Sequence, residues 1–259
     1  MSQLHAGAAR MPALDPDSRP GVAMVLAAGL GERMRPLTLD RPKPLLRVGG
    51  RALIDWSLDR FARSGVGRIV VNLHYKAEML ERHLGERRDL DISLSHEPDR
   101  LETGGGIVRA LPLLGDRPFY VANSDSIWLD GPSPAVDRLA ATWDDERMDV
   151  LMLLMCAPRS DLYEGPGDFM MDPAGRLSAR PERRIAPYVY AGLHIVSPRL
   201  FEGAPAGPFR LTQLWRRAQE SGRLFGLAHD GAWFHVGTPK ALKAADEQLD
   251  PRNARWLER

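Results

Sequence analysis

Six residues, Val22-Ala23-Met24-Val25-Leu26-Ala27, form a short apolar run that gives way to Gly29 and Gly31. A run this short and uniformly apolar suits a β-strand buried on both faces, as in a parallel sheet covered by helices. Glycines directly after such a strand let backbone N–H groups approach a phosphate closely. The loop is neither of the two commonest glycine loops. It lacks the Gly-Lys-Ser/Thr that closes a Walker loop, and Met34 stands where a dinucleotide fingerprint needs its third glycine. Arg33, Arg35 and Arg41, with Lys43 between two prolines, add cations suited to a triphosphate.

The pattern after the loop predicts a helix over 52–63, where Ile54, Leu58 and Phe61 share one face and Gly65 supplies a stop. It then predicts a strand over 68–72, a helix over 77–84 and a strand over 90–95. A strand over 118–123, a helix over 134–143 and a strand over 150–155 complete a βαβα order, which implies a parallel sheet. Further strands are expected at 169–171, 188–196 and 224–228, and helices at 211–220 and 239–248. The fold class is therefore α/β and Rossmann-like. A mobile tail is expected over residues 1–20, and one domain over 21–259. Within it, 21–155 is expected to form the nucleotide-binding half and 156–250 to wall the acceptor pocket.

Charge is balanced, with 35 Lys plus Arg against 34 Asp plus Glu, so no overall field recruits nucleic acid or an anionic membrane. No apolar run of about 20 residues and no leader pattern is present, and a cytoplasmic protein is expected. Cys156 is the one cysteine, expected to be a buried inert thiol.

Leu26-Ala27-Ala28-Gly29-Leu30-Gly31-Glu32-Arg33, followed by Pro42-Lys43-Pro44, resembles the signature of the sugar-1-phosphate nucleotidyltransferases. The resemblance spans residues 22–249 and implies a GT-A-like fold with a mixed, mostly parallel sheet flanked by helices. The stretches 101–107, 110–116 and 167–169 are most similar to the branch that uses UTP and N-acetylmuramate 1-phosphate in cell-wall (peptidoglycan) recycling. The resemblance implies that Leu26, Ala27, Ala28 and Gly29 line the base and ribose, with Gly31 and Arg33 on the triphosphate. It implies that Lys43 neutralises charge at the reacting phosphates, and that Thr103, Gly104 and Gly105 lie in a loop at the base edge. Asn123, Asp168 and Gly192 fall where relatives contact the sugar.

Asp125 follows the fourth strand, and strand C-termini of open parallel sheets are where ligands bind. It is the chief candidate for a divalent metal, Mg²⁺ by resemblance. The second metal ligand of the family is an aspartate where this chain has His235. An imidazole suits Mn²⁺ or Co²⁺ better than Mg²⁺, with metal affinity expected to fall below about pH 6.5. Ser124 is a second departure, replacing a family glycine. The expected partners are a nucleoside triphosphate and a sugar 1-phosphate, bound by a monomer or small homo-oligomer. Two alternatives stay open: guanylyl or other nucleotidyl transfer to mannose, heptose or glucose 1-phosphate, and a nucleotide-binding protein without turnover.

Overall fold

The computed structural model describes residues 19–160 and 163–250, so all of the expected N-terminal tail except Arg19 and Pro20 lies outside the described residues. In chain order the elements are β1 (Val22–Leu26), β2 (Arg47–Val48), β3 (Arg51–Ala52), α1 (Leu53–Arg63), β4 (Arg68–Leu73), α2 (Ala77–Gly85), β5 (Asp91–His96) and α3 (Glu102–Leu114). There follow β6 (Phe119–Asn123), β7 (Ser126–Leu129), α4 (Ala135–Thr142), β8 (Val150–Cys156), β9 (Phe169–Met171), β10 (Leu177–Ala179) and β11 (Tyr188–Val196). The last are α5 (Thr212–Glu220), β12 (Leu224–Ala228), β13 (Ala232–His235) and α6 (Pro239–Leu249).

The central sheet is mixed and mostly parallel in its first half. β1 lies between β4 and β6, parallel to both, and β5 extends the sheet beyond β4. β11 runs antiparallel to β6 and to β8, and β12 runs parallel to β8. Helices cover both faces. On one, the predicted stripe Ile54, Leu58 and Phe61 is fully buried; on the other, Ile107, Ala110 and Leu214 are buried. Each large apolar side chain so enclosed contributes about 1.5–3 kcal/mol. α1 ends as expected: Gly65 takes φ 74°, and Val66 N–H donates to the Phe61 carbonyl at 2.9 Å.

Two ribbons and one helix depart from expectation. β7 and β13 form a separate antiparallel pair, and β2 and β3 a short hairpin, neither of which the periodicity showed. The glycine run is not a loop. Thr103, Gly104, Gly105 and Gly106 belong to the first turn and a half of α3, because the helix there packs with no room for side chains. A Cβ on Gly104 would lie 2.2 Å from the Phe209 ring, and one on Gly105 2.4 Å from the Gly207 carbonyl. Close approach has outweighed the poor helix propensity of glycine. Cys156 is half-buried at the end of β8 and is not enclosed as expected.

Candidate active site

Two adjoining cavities, of about 280 and 250 Å³, open at the C-terminal ends of β1 and β6. Both are lined by Gly29, Leu30, Lys43, Arg100 and Asp125. The first adds Leu26, Ala27, Ala28, Thr103 and Asn123; the second adds Gly31 and Arg33.

The loop that joins them is rigid for identifiable reasons. Gly31 has φ 65°, and a Cβ there would fall 2.9 Å from the Thr38 methyl, so glycine answers both backbone and space. Thr38 is buried, and its hydroxyl donates to the Gly31 carbonyl at 2.9 Å. Met34 is wholly buried with Trp56, Phe234 and Val236, which ties the loop to β13. Ala27 N–H donates to Asn72 Oδ1 at 2.8 Å, Asn72 Nδ2 donates to Glu97 Oε1 at 2.7 Å, and Leu101 N–H donates to Glu97 Oε2 at 3.2 Å. Among the described residues no acceptor meets the N–H groups of Ala28, Gly29 or Leu30. They are left available to an anion.

Sequence reasoning passed over Asn72 and Glu97, although both line the first cavity. The signal was present: each stands at or just beyond the C-terminal end of a parallel strand, the criterion that selected Asp125.

Lys43 sits on a single turn of tight helix, Lys43–Leu45, with Pro42 before it. Its ammonium donates to Asp125 Oδ2 at 2.6 Å. Burial alone would raise the Asp125 carboxyl, but Lys43, then His235 and Arg33, outweigh it and hold the group below the usual carboxylate range. The β7–β13 ribbon brings the histidine to this pair. His235 faces Ser126 across the ladder, and Val236 N–H donates to the Asp125 carbonyl at 3.0 Å. The imidazole stacks on Trp233 at 5.9 Å between centroids, and a Cβ on Gly237 would lie 2.7 Å from its Nε2. Burial pulls His235 below its ordinary value; Asp125 and Asp168 oppose this, while Lys43 and Arg33 add to it. The ring is therefore neutral at pH 7 with a lone pair to offer, and a proton competes for it only in a more acid range than the pH 6.5 expected from an unperturbed imidazole.

Other expected residues are placed differently. Gly104 and Gly105 do not line the cavities, and their N–H groups are taken by the Phe209 carbonyl at 2.9 and 3.3 Å. Thr103 does line the first cavity, with its hydroxyl accepting from Leu211 N–H at 3.0 Å. Asp168 accepts from Tyr190 N–H at 3.0 Å and lines a separate cavity with Tyr190 and Trp215. Gly192 is buried at a β-bulge in β11, where a Cβ would strike Ser126 Oγ at 2.2 Å. Arg41 lines neither of the two cavities that hold Arg33 and Lys43. As for a metal, no group of three His, Cys, Asp or Glu among the described residues is placed to hold one. Asp125 Oδ1 and the His235 lone pair are the donors at hand, so a cation there needs oxygens from a bound ligand as well.

Comparison with known proteins places the chain in a family. The profile of the family described as nucleotidyl transferase matches residues 22–251. The N-acetylmuramate alpha-1-phosphate uridylyltransferase of Caulobacter vibrioides is 47% identical over 235 residues, covering 89% of this chain and 97% of the relative. The enzyme of the same name from Neisseria meningitidis serogroup B is 37% identical over 228 residues, covering 86% and 96%. In fold, the chain is similar to the inositol-1-phosphate CTP transferase of T. maritima, with a TM-score of 0.74 at 17% identity, covering 92% of this chain and 98% of that one.

Proposed function

Because this chain belongs to the nucleotidyl transferase family, we propose that it transfers a nucleoside monophosphate from a nucleoside triphosphate to a sugar 1-phosphate, releasing pyrophosphate. Uridylyl transfer to N-acetylmuramate 1-phosphate, a step that serves peptidoglycan recycling in the cytoplasm, is the reading that the 47% identity supports best. The observation that carries it is the continuous pair of cavities joined at Gly29, Lys43 and Asp125. One is walled by residues 26–30 with Asn72, Glu97 and Thr103, a mix of apolar surface and hydrogen-bonding groups that suits a nucleoside. The other is ringed by free N–H groups and Arg33 and suits a phosphate chain.

The attacking phosphate oxygen is already an anion, so no general base and no enzyme nucleophile is needed. The residues act by alignment and charge. The loop N–H groups and Arg33 hold the β- and γ-phosphates as they leave. Lys43, kept in place by Asp125, offsets charge on the α-phosphate and on the incoming sugar phosphate. A divalent cation bound by Asp125, His235 and nucleotide oxygens would supply further charge neutralisation at the same phosphates.

The test is a panel of four nucleoside triphosphates against N-acetylmuramate, mannose, heptose and glucose 1-phosphates, read by pyrophosphate release with Mg²⁺ or Mn²⁺. UTP with N-acetylmuramate 1-phosphate is expected to give the highest kcat/KM. A higher value for GTP with mannose 1-phosphate would transfer the assignment to guanylyl chemistry, and nucleotide binding without release under either metal would leave a binding protein.

A further inference from the structure

One cation of the cleft stands outside the roles given to Arg33 and Lys43. Arg100, in the connection between β5 and α3, lines both cavities. In the second it is, among the described residues, the only contribution of that connection; the rest of the wall is the glycine loop with Met34, Lys43, Asp125 and Gly237. Its guanidinium donates to the Glu102 carboxylate. Glu102, and after it Glu32 of the glycine loop, raise the guanidinium above its ordinary value. A positive charge on the β5–α3 connection is thus felt by the loop that offers its N–H groups to a phosphate chain.

The backbone beside this side chain is fixed. Leu101 N–H donates to Glu97 Oε2 at 3.2 Å, and the Leu101 carbonyl accepts from Phe209 N–H at 3.2 Å. The pair itself is open to water, with the Arg100 side chain 45% exposed and that of Glu102 27%. An exposed ion pair contributes little net stability, so it is easily exchanged. Glu102 is nevertheless retained in a strained place. It takes φ 58° at the first residue of α3, a left-handed conformation that glycine adopts freely and glutamate does not. Strain of this kind gathers at ligand sites. The side chain kept there both lines the first cavity and receives Arg100.

We propose that Arg100 gives up Glu102 when the nucleotide binds and becomes, with Arg33, a second guanidinium on its β- and γ-phosphates. This role for Arg100 rests on the nucleotidyl-transfer reading above. A phosphate chain offers a guanidinium more charge and more paired acceptors than a single carboxylate does. Arg33 lines only the second cavity, whereas Arg100 spans the seam of the two, where the phosphate chain leaves the nucleoside.

Calorimetric titration of the full chain with UTP and with UMP, in Mg²⁺ and without acceptor, tests it. Arg100→Gln should weaken UTP about tenfold and UMP by less than about twofold, because only UTP carries the β- and γ-phosphates. Its melting temperature should be unchanged, since the side chain is half exposed. Arg100→Lys should recover part of the loss, as an ammonium keeps the charge without the paired donors. Glu102→Gln, which frees the guanidinium, should tighten UTP by about twofold. UTP binding by Arg100→Gln equal to wild type, an equal loss for UTP and UMP, or weaker UTP binding by Glu102→Gln would overturn the exchange while leaving nucleotidyl transfer standing. Failure of wild type to bind UTP at all would remove the nucleotidyl-transfer reading and this role with it.

Discussion

Lys43 and Asp125 carry most of the chemistry assigned to single residues. Removing the ammonium in Lys43→Ala should lower turnover by roughly two or more orders of magnitude, the scale on which lost charge stabilisation is felt. The Asp125 carboxyl, then opposed by burial and supported only by His235 and Arg33, should titrate at a higher pH than in wild type. Stopped-time pyrophosphate release and carbon-detected titration of Asp125 check the two halves. Arg33→Ala should show the kinetic loss with a smaller upward shift of Asp125, and should leave the fold intact because Arg33 is exposed and fills no core position. His194 gives a prediction of another kind. It is fully buried, its Nδ1 shares a hydrogen bond with the Tyr190 hydroxyl at 2.6 Å, and burial pushes the imidazole down to about 3. The unfolded chain titrates this group near pH 6.5 and so binds more protons between the two values. Stability is therefore fully present above pH 6.5 and is lost as pH falls, by about 2 kcal/mol from pH 7 to pH 5. Urea unfolding at those two pH values should show at least that loss, and His194→Phe should reduce it by about that amount, leaving the smaller part due to His229 and His235.

At the scale of elements, α3 and the β7–β13 ribbon set the site. Ala is the better helix former by about 1 kcal/mol, yet Gly104→Ala should destabilise the protein by about 1–3 kcal/mol, since its Cβ would enter the buried Phe209 ring. A melting temperature equal to or above wild type would disprove that packing account. Most strands and helices were legible because their burial is periodic: the 52–63 stripe and the run at 150–155 each predict the observed element to within a residue. The ribbon was not. Ser126–Leu129 and Ala232–His235 are four residues each, too short for a period to appear, and their pairing spans about a hundred residues of chain. The glycine loop and Asp125 were legible because a strand end followed by glycine or aspartate has few local explanations. Arg41 was read beside the glycine loop from charge and chain position alone, and a sequence does not reveal which cavity a side chain lines. The ribbon also governs the metal prediction. His235→Asp should shift the preference toward Mg²⁺, whereas wild type should work at lower Mn²⁺ or Co²⁺ than Mg²⁺ concentration. Turnover against metal concentration in both forms is the check, and curves that coincide would remove His235 from the ligand set.

At the scale of the whole molecule, the parallel half of the sheet gathers the ends of β1, β4, β5 and β6 into one cleft, and the antiparallel β11 beside β6 brings β8 and β12 into the same sheet. Among the described residues no helix is long and apolar enough to cross a membrane. The account's central claim is that this cleft passes a nucleotidyl group to a sugar phosphate, and does not merely bind or hydrolyse the nucleotide. The most direct measurement is the release of pyrophosphate from UTP by wild type and Lys43→Ala, with and without N-acetylmuramate 1-phosphate. Release by wild type should require the acceptor, match nucleotide sugar formed one for one, and fall at least a hundredfold in the variant. Release without acceptor, or an unchanged rate in Lys43→Ala, would contradict it.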